Sequence, residues 1–75
     1  MSTIGLVKID GDKLSGLRHG KFLSREELAQ TAGLHRDHVG RLERGEGGNS
    51  RLPTVRKLAE ALGVDPTELV NNGGN

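Results

Sequence analysis

The chain has 75 residues, a length that allows one small domain. Eleven Lys and Arg residues against ten Asp and Glu residues leave a formal net charge of +1, which excludes a chain kept disordered by net charge. The absence of cysteine excludes disulfide bonds and a cysteine-based zinc site. Since the sequence shows neither a long apolar run nor the pattern of a signal peptide, we expect no membrane association and a cytoplasmic location.

The charge is distributed unevenly along the chain. Residues 18–57 carry nine Lys or Arg and five Asp or Glu, a net charge of +4, whereas the remaining residues have a net charge of −3. The three histidines also lie within the positive part. A nearly neutral chain can therefore present a basic face to a partner. Because so short a chain has little room for a catalytic site of several parts, these features favour a binding module over an enzyme.

The two ends of the chain differ from the part between them. Within residues 1–11, the β-branched-rich stretch from Ile4 to Ile9 predicts a short extended segment. Alone it cannot form a stable sheet, which leaves three alternatives: a disordered arm, an edge that packs on the domain, or a strand that pairs with a second copy. Residues 71–75 contain only Asn and Gly, and they predict a frayed tail.

We expect the domain to span residues 12–70. Capping signals predict two helices in its first half. The first helix begins at Asp10 or Asp12 and ends at about His19. The Ser-Arg-Glu-Glu sequence that begins at Ser24 forms a capping box, in which the Ser hydroxyl and the second Glu carboxylate satisfy backbone N–H groups. The second helix therefore starts there and ends just before a glycine that favours a left-handed C-terminal cap.

Similar signals predict three further helices. The third helix covers about residues 36–44, and the Gly-rich residues 45–51 form a loop. Pro53 suits the first turn of a fourth helix, which ends at Gly63. An Asp-Pro-Thr-Glu sequence then predicts a short fifth helix over residues 65–70.

The second and third helices are joined by only about three residues, beginning with Gly33. So short a connection forces the helices to cross steeply, as in a helix-turn-helix. Ala29 leaves room for the close crossing, and Val39 and Leu42 face inward. The outer face of the third helix then carries Arg36, Asp37, Gly40, Arg41 and Arg44. A protruding helix with this face suits the width and hydrogen-bonding pattern of the DNA major groove.

The same residues resemble a known family. Residues 25–44 have Ala, Gly and Val at their fifth, ninth and fifteenth places, and residues 41–45 are Arg-Leu-Glu-Arg-Gly. Together with Leu-Ala-Glu-Ala-Leu-Gly at residues 58–63, the pattern resembles the phage repressor and Cro family, also called the xenobiotic-response-element class of regulators, over about residues 12–70. The resemblance implies an all-α, five-helix phage-repressor-like domain that binds DNA in a sequence-specific manner and regulates transcription, usually as a repressor.

The resemblance also implies roles for individual side chains. The residues expected to contact bases are Arg36, Asp37, His38 and Arg41. Those expected to contact phosphates are Ser24, Arg25, His35, Arg44 and Arg51. An ion pair between Arg18 and Glu43 is expected to join the first and third helices.

The chain departs from the family pattern at three of these positions. Arg25 stands where the family usually has Gln, so we expect a charged phosphate contact and a steeper salt dependence. His35 replaces the usual Ser or Thr as a weaker helix cap. Gly40 replaces a polar residue, and we expect it to remove one contact and to loosen the helix.

The resemblance implies double-stranded DNA as the partner, with an inverted repeat bound by a homodimer in the nucleoid. Two dimer surfaces are considered: the fifth helix with Leu69 and Val70, and the segment from Ile4 to Ile9. The alternative function is an antitoxin or adaptor that acts mainly through a protein partner.

The remaining motifs do not indicate enzymatic or metal chemistry. His35-Arg36-Asp37 matches three letters of the kinase catalytic loop, but the required Asn five residues after the Asp is absent. His35 and His38 share a helical face without a third metal ligand nearby. We therefore expect no catalytic residue, no metal and no cofactor.

Overall fold

Four α-helices, one 3₁₀ helix and two short strands form the part of the chain that the computed structural model describes, residues 6–46 and 49–70. In chain order the elements are β1 (Leu6–Lys8), α1 (Gly11–Gly20), α2 (Arg25–Ala32), α3 (Arg36–Glu43), β2 (Asn49–Arg51), α4 (Leu52–Leu62) and the 3₁₀ helix (Pro66–Leu69). The predicted frayed tail and the first five residues lie outside the described residues. No helix in the described ranges is long and apolar enough to span a membrane.

The first three helices begin at the predicted capping residues. The Asp10 carboxylate accepts hydrogen bonds from the backbone N–H groups of Asp12 and Lys13, at 3.0 and 3.2 Å. The capping box of α2 is complete: Ser24 Oγ accepts from the Glu27 N–H at 3.0 Å, and Glu27 Oε1 accepts from the Ser24 N–H at 2.8 Å. These contacts satisfy N–H groups that a helix start otherwise leaves without partners.

The predicted fifth helix is instead a single 3₁₀ turn of four residues. Asp65 Oδ1 caps it by accepting from the N–H and the hydroxyl of Thr67, at 3.1 and 3.0 Å. The turn cannot continue because Val70 is extended and forms an antiparallel bridge with Ile9. The backbone N–H of Asp10 also donates to the carbonyl oxygen of Leu69, at 2.8 Å.

The predicted loop at residues 45–51 is partly a strand. Asn49–Arg51 form β2, which pairs antiparallel with β1 so that Leu6 lies opposite Arg51 and Lys8 opposite Asn49. Of the three alternatives for the N-terminal segment, residues 6–8 adopt the second, an edge that packs on its own domain. Because the pairing joins residues more than 40 positions apart, no local signal at residues 49–51 could indicate it.

The core is aliphatic, as the composition requires. Its buried members are Ile9, Leu14, Leu28, Ala29, Ala32, Val39, Leu42, Val55, Leu58, Ala59, Leu62 and Leu69. The burial of Leu69 and Ile9 contradicts the expectation that these side chains form a dimer surface, since both are used within the chain. Phe22, the one aromatic residue, is 93% exposed.

The start of α1 lies directly against the end of α3. A Cβ added at Gly11 would lie 2.6 Å from the carbonyl oxygen of Leu42 and closer still to that of Glu43. Such distances are shorter than van der Waals contact allows, and the obstacle is backbone that cannot turn aside. The glycine therefore permits the approach that sets α1 against α3.

We predict that Gly11→Ala lowers the free energy of unfolding by about 1–3 kcal/mol, because the added methyl group overpacks a backbone contact. Gly16→Ala is the matched control on the same helix, since nothing lies within 4 Å of its added Cβ. The free energy of unfolding of Gly16→Ala should rise by about 0.5–1 kcal/mol, because Ala is a better helix former than Gly. Urea unfolding followed by circular dichroism measures both, and equal stability of the two variants would contradict the role of Gly11.

Candidate nucleic-acid interface

The pair α2 and α3 has the predicted helix-turn-helix arrangement. Gly33 adopts the left-handed conformation (φ 74°) at the end of α2, and the N–H of Leu34 donates to the carbonyl oxygen of Ala29 at 2.8 Å. His35 then caps α3, because its Nδ1 accepts from the Asp37 N–H at 3.1 Å. Ala29 and Val39 are both buried where the helices meet. The sequence predicted the left-handed Gly33 and the inward positions of Ala29 and Val39, and the family resemblance implied His35 as the cap.

The side chains predicted to contact bases all lie on the exposed side of α3. They are Arg36, Asp37, His38 and Arg41. The buried side of the helix carries Val39 and Leu42. The helix therefore separates its polar and apolar side chains onto opposite faces, and the polar face is open to a partner.

A cleft lies between the start of α2 and the exposed face of α3. We call it the α2–α3 cleft, and it is lined by Arg18, His19, Ser24, Arg25, Glu26, Arg36, Asp37, Gly40, Arg41 and Arg44. Five of these residues are arginines and two are acidic, so the cleft is cationic although the whole chain is nearly neutral. Such a surface attracts an anionic partner locally.

The predicted ion pair between Arg18 and Glu43 is present and buried. Arg18 Nε donates to Glu43 Oε2 at 2.5 Å, and Arg18 Nη2 donates to Glu43 Oε1 at 3.1 Å. Arg18 Nη1 also donates to the carbonyl oxygen of Leu23 at 2.9 Å. The Arg18 guanidinium therefore joins α1, the loop before α2, and α3, which is a structural role.

Glu43 has a second partner that the sequence did not indicate. Arg25 Nε donates to Glu43 Oε1 at 3.0 Å, although the two residues are 18 positions apart. Burial raises the pKa of the Glu43 carboxyl, but the hydrogen bonds and charges of Arg18 and Arg25 outweigh burial and hold that pKa below its ordinary value of 4.5. The side chain is only 3% exposed.

The predicted phosphate-contacting residues are all exposed, and Ser24, Arg25 and Arg44 line the α2–α3 cleft. The Ser24 oxygen accepts a capping hydrogen bond, which leaves its O–H free to donate. Arg44 Nε lies 3.3 Å from Glu46 Oε1, and its side chain is 53% exposed. Arg51 is exposed in β2, and His35 is exposed at the start of α3. Nothing in these contacts tests their roles toward DNA, which stay predictions.

Gly40 differs from the expectation. It is buried, not open on the outer face, because the side chains of Arg25 and Arg44 cover it. Nor does it interrupt the helix, since the Arg44 N–H donates to the Gly40 carbonyl oxygen at 3.1 Å. Helical periodicity placed Gly40 on the outer face, but it could not show that two long side chains fold over it.

Comparison with known proteins decides the family. The profile of a family described as "Helix-turn-helix domain" matches residues 11–71. The chain belongs to this helix-turn-helix family. It is 37% identical over 62 residues to the control protein C.BamHI of Bacillus amyloliquefaciens, a match that covers 81% of this chain and 75% of that protein.

Solved structures agree with this assignment. The crystal structure of the restriction-modification controller protein C.AhdI from Aeromonas hydrophila superposes with a TM-score of 0.73 at 46% identity, over 77% of this chain and 86% of that one. SinR, the master regulator for biofilm formation solved in complex with DNA, superposes with the same TM-score of 0.73 at 26% identity, over 76% of this chain and 90% of that one. The predicted all-α helix-turn-helix class is confirmed, and the chain is a DNA-binding transcriptional regulator.

We predict that Glu43→Gln lowers the free energy of unfolding at pH 7 by about 3–5 kcal/mol, because it removes the charge that pairs two guanidinium groups. In the wild type the folded-state pKa of Glu43 lies below the ordinary value of 4.5. The stabilisation is therefore complete above that value and is lost as the pH falls through the folded-state pKa.

Urea unfolding between pH 3 and pH 7 measures this effect. Glu43→Gln should flatten the acid-dependent loss of stability, whereas Glu60→Gln, a change at an exposed position of α4, should keep the wild-type profile. An unchanged profile in Glu43→Gln would contradict the assignment.

Proposed function

We propose that the chain is a sequence-specific repressor that inserts α3 into the major groove of double-stranded DNA. The observation that carries this proposal is the exposed polar face of α3 beside the cationic α2–α3 cleft. The major groove is wide enough for one helix and displays a distinct donor and acceptor pattern for each base pair. The DNA in the SinR complex supports DNA as the partner of this chain.

Four side chains on α3 read the bases in this proposal. Arg36 and Arg41 each have a guanidinium suited to paired hydrogen bonds with guanine, and Asp37 can accept from the amino group of cytosine. His38 lies on the same exposed side of the helix and adds a contact to a base edge. These contacts select the sequence, because base edges differ whereas phosphates do not.

A second set of side chains binds the backbone and fixes the position of α3. The proposed phosphate contacts are Ser24, Arg25, His35, Arg44 and Arg51. Arg25 and Arg44 lie in the α2–α3 cleft, and Arg51 is exposed in β2. Each neutralised phosphate releases counterions, so this set makes binding depend on salt.

The proposed binding form is a homodimer on an inverted repeat, with half-site centres about 10 base pairs apart or a multiple of that spacing. Leu6 and Leu52 are candidates for the contact between copies, because they are the larger apolar side chains still exposed near the β1–β2 pair, at 47% and 37%. Leu6 lies opposite Arg51, the residue before Leu52, so the two occupy one end of the sheet.

The similarity to C.BamHI and to the controller protein C.AhdI suggests where the operator lies. We propose that the chain controls genes of a restriction-modification system. In a selection of sheared genomic DNA at about 150 mM salt, near the physiological range, a few fragments should be enriched. We expect them to share a repeat upstream of methyltransferase or endonuclease genes.

Substitution of the proposed base-reading residues provides the direct test. We predict that Arg36→Ala combined with Arg41→Ala lowers affinity for the selected fragment by about tenfold or more per residue, while the helix content stays unchanged. Arg56→Ala, which removes an exposed arginine of α4, is the control and should bind normally. Fluorescence anisotropy with labelled DNA measures the affinity of the wild type, the double variant and the control.

Three outcomes of these experiments would contradict the proposal. Uniform recovery of genomic fragments would leave only non-specific electrostatic binding. Retained DNA affinity in the double variant would show that residues other than Arg36 and Arg41 contact the bases. No recovery of DNA at all, together with capture of a protein partner, would favour the antitoxin or adaptor alternative.

Salt dependence separates phosphate contacts from base contacts. We predict that Arg51→Ala reduces the slope of log K against log salt by about 1 and weakens all sequences equally, because it removes one phosphate contact. Arg56→Ala again serves as the control. A slope unchanged in Arg51→Ala would show that β2 does not contact the backbone.

A further inference from the structure

We propose that Arg25 and Arg44 bind the same phosphodiester of the DNA backbone, on the surface that their two side chains form over Gly40. This surface, which the two arginine side chains form over the buried Gly40, is called the Gly40 notch. This proposal rests on the proposed function and extends it. It makes Gly40, which has no side chain, a positioning residue for DNA binding.

The notch brings together the side chains of two arginines from different elements. A Cβ added at Gly40 would lie 3.3 Å from Nη1 of Arg44 and 3.9 Å from Cδ of Arg25. Arg25 begins α2, whereas Arg44 is the C-terminal cap of α3. The two side chains therefore flank the same position on α3 although they come from different elements.

Each arginine is oriented by a carboxylate that engages only one side of its guanidinium. Arg25 donates through Nε to Glu43 at 3.0 Å, and the Nε of Arg44 lies 3.3 Å from Glu46 Oε1. A guanidinium has five N–H donors, so the terminal amino groups remain for another acceptor. The two side chains are 51% and 53% exposed, which leaves them accessible to a ligand.

A phosphodiester matches these donors in charge and in number of acceptors. It carries one negative charge and two non-bridging oxygens, so each guanidinium can donate to its own oxygen through a charge-assisted hydrogen bond. Glu26 and Asp37 also line the α2–α3 cleft, and their carboxylates oppose an anion that lies nearer to them.

Glycine at this position costs helix stability, but it lets the Arg44 guanidinium lie against the helix. In a helix interior, Gly is less favourable than Ala. A side chain at position 40 would push the Arg44 guanidinium aside, and this end of a flexible side chain can move at little cost to folding. Stability and DNA affinity should therefore respond to a larger residue in opposite directions.

The first test uses Gly40→Ala and the bulkier Gly40→Leu with the DNA fragment selected by the wild type. Gly40→Ala should keep or raise the urea midpoint and lose affinity several-fold. Gly40→Leu should lose about tenfold or more, because the charge-assisted hydrogen bonds are displaced. Gly16→Ala, with nothing within 4 Å of its added Cβ, should gain stability and keep full affinity. Full DNA affinity in both Gly40 variants would overturn the proposal.

The second test asks whether the two arginines share one phosphate. Arg25→Ala and Arg44→Ala should each weaken binding, and the double variant should lose less than the product of the two losses. A scan that replaces single phosphates by neutral methylphosphonates should find one position that weakens the wild type but leaves the double variant unaffected. Independent losses, or no such position, would overturn the proposal.

These experiments distinguish a failure of the proposed function from a failure of the shared phosphate site. If the wild type binds no DNA, the proposed function fails and the notch fails with it. If the wild type binds a specific fragment but the Gly40 variants and the methylphosphonate scan show no effect, only the shared phosphate site fails. A notch that serves a free anion would give this second result.

Discussion

The buried carboxylate of Glu43 is the group on which the relative placement of α1, α2 and α3 depends. It lies in the last turn of α3 and accepts hydrogen bonds from Arg18 of α1 and Arg25 of α2. A charge at this depth without partners would destabilise the fold by about 3–5 kcal/mol. The three helices must therefore bring both guanidinium groups to the same carboxylate. Because α3 also carries the exposed polar face, the ion network that holds the fold together also sets the direction in which that face points.

Much of this arrangement could be predicted from local sequence. Asp10, Ser24 and Gly33 act within a few residues of their own positions, and the helix boundaries followed from them. The exposed side of α3 followed from the spacing of Val39 and Leu42, which leaves Arg36 and Arg41 facing outward. The family resemblance added the Arg18–Glu43 pair, which no local signal indicates. Helix capping and helical periodicity are short-range effects, so one sequence suffices to show them.

The features that were missed depend on contacts between distant residues. The strand at residues 49–51 exists because β1 pairs with it, and the last helix is cut short because Val70 bridges to Ile9. The burial of Gly40 depends on the conformations of Arg25 and Arg44, two side chains long enough to lie in many directions. Likewise, the sequence alone does not distinguish Leu69 from a surface residue, because its burial depends on the contact between the end of the 3₁₀ helix and the residues that follow β1. In each case the deciding partner is remote in sequence.

The pairing of arginines with carboxylates also explains how a chain of net charge +1 can bind a polyanion. Arg18, Arg25 and Arg44 each lie beside a glutamate, which offsets their charge at long range and holds their direction at short range. Weak long-range attraction limits binding to arbitrary DNA, whose affinity comes almost entirely from phosphate electrostatics. In the proposed complex, oriented guanidinium groups lose little freedom when they meet a phosphate, so they favour the register in which α3 meets its bases. Low net charge and fixed arginines are therefore two parts of one proposed arrangement, in which the position of a charge contributes more to binding than the total charge.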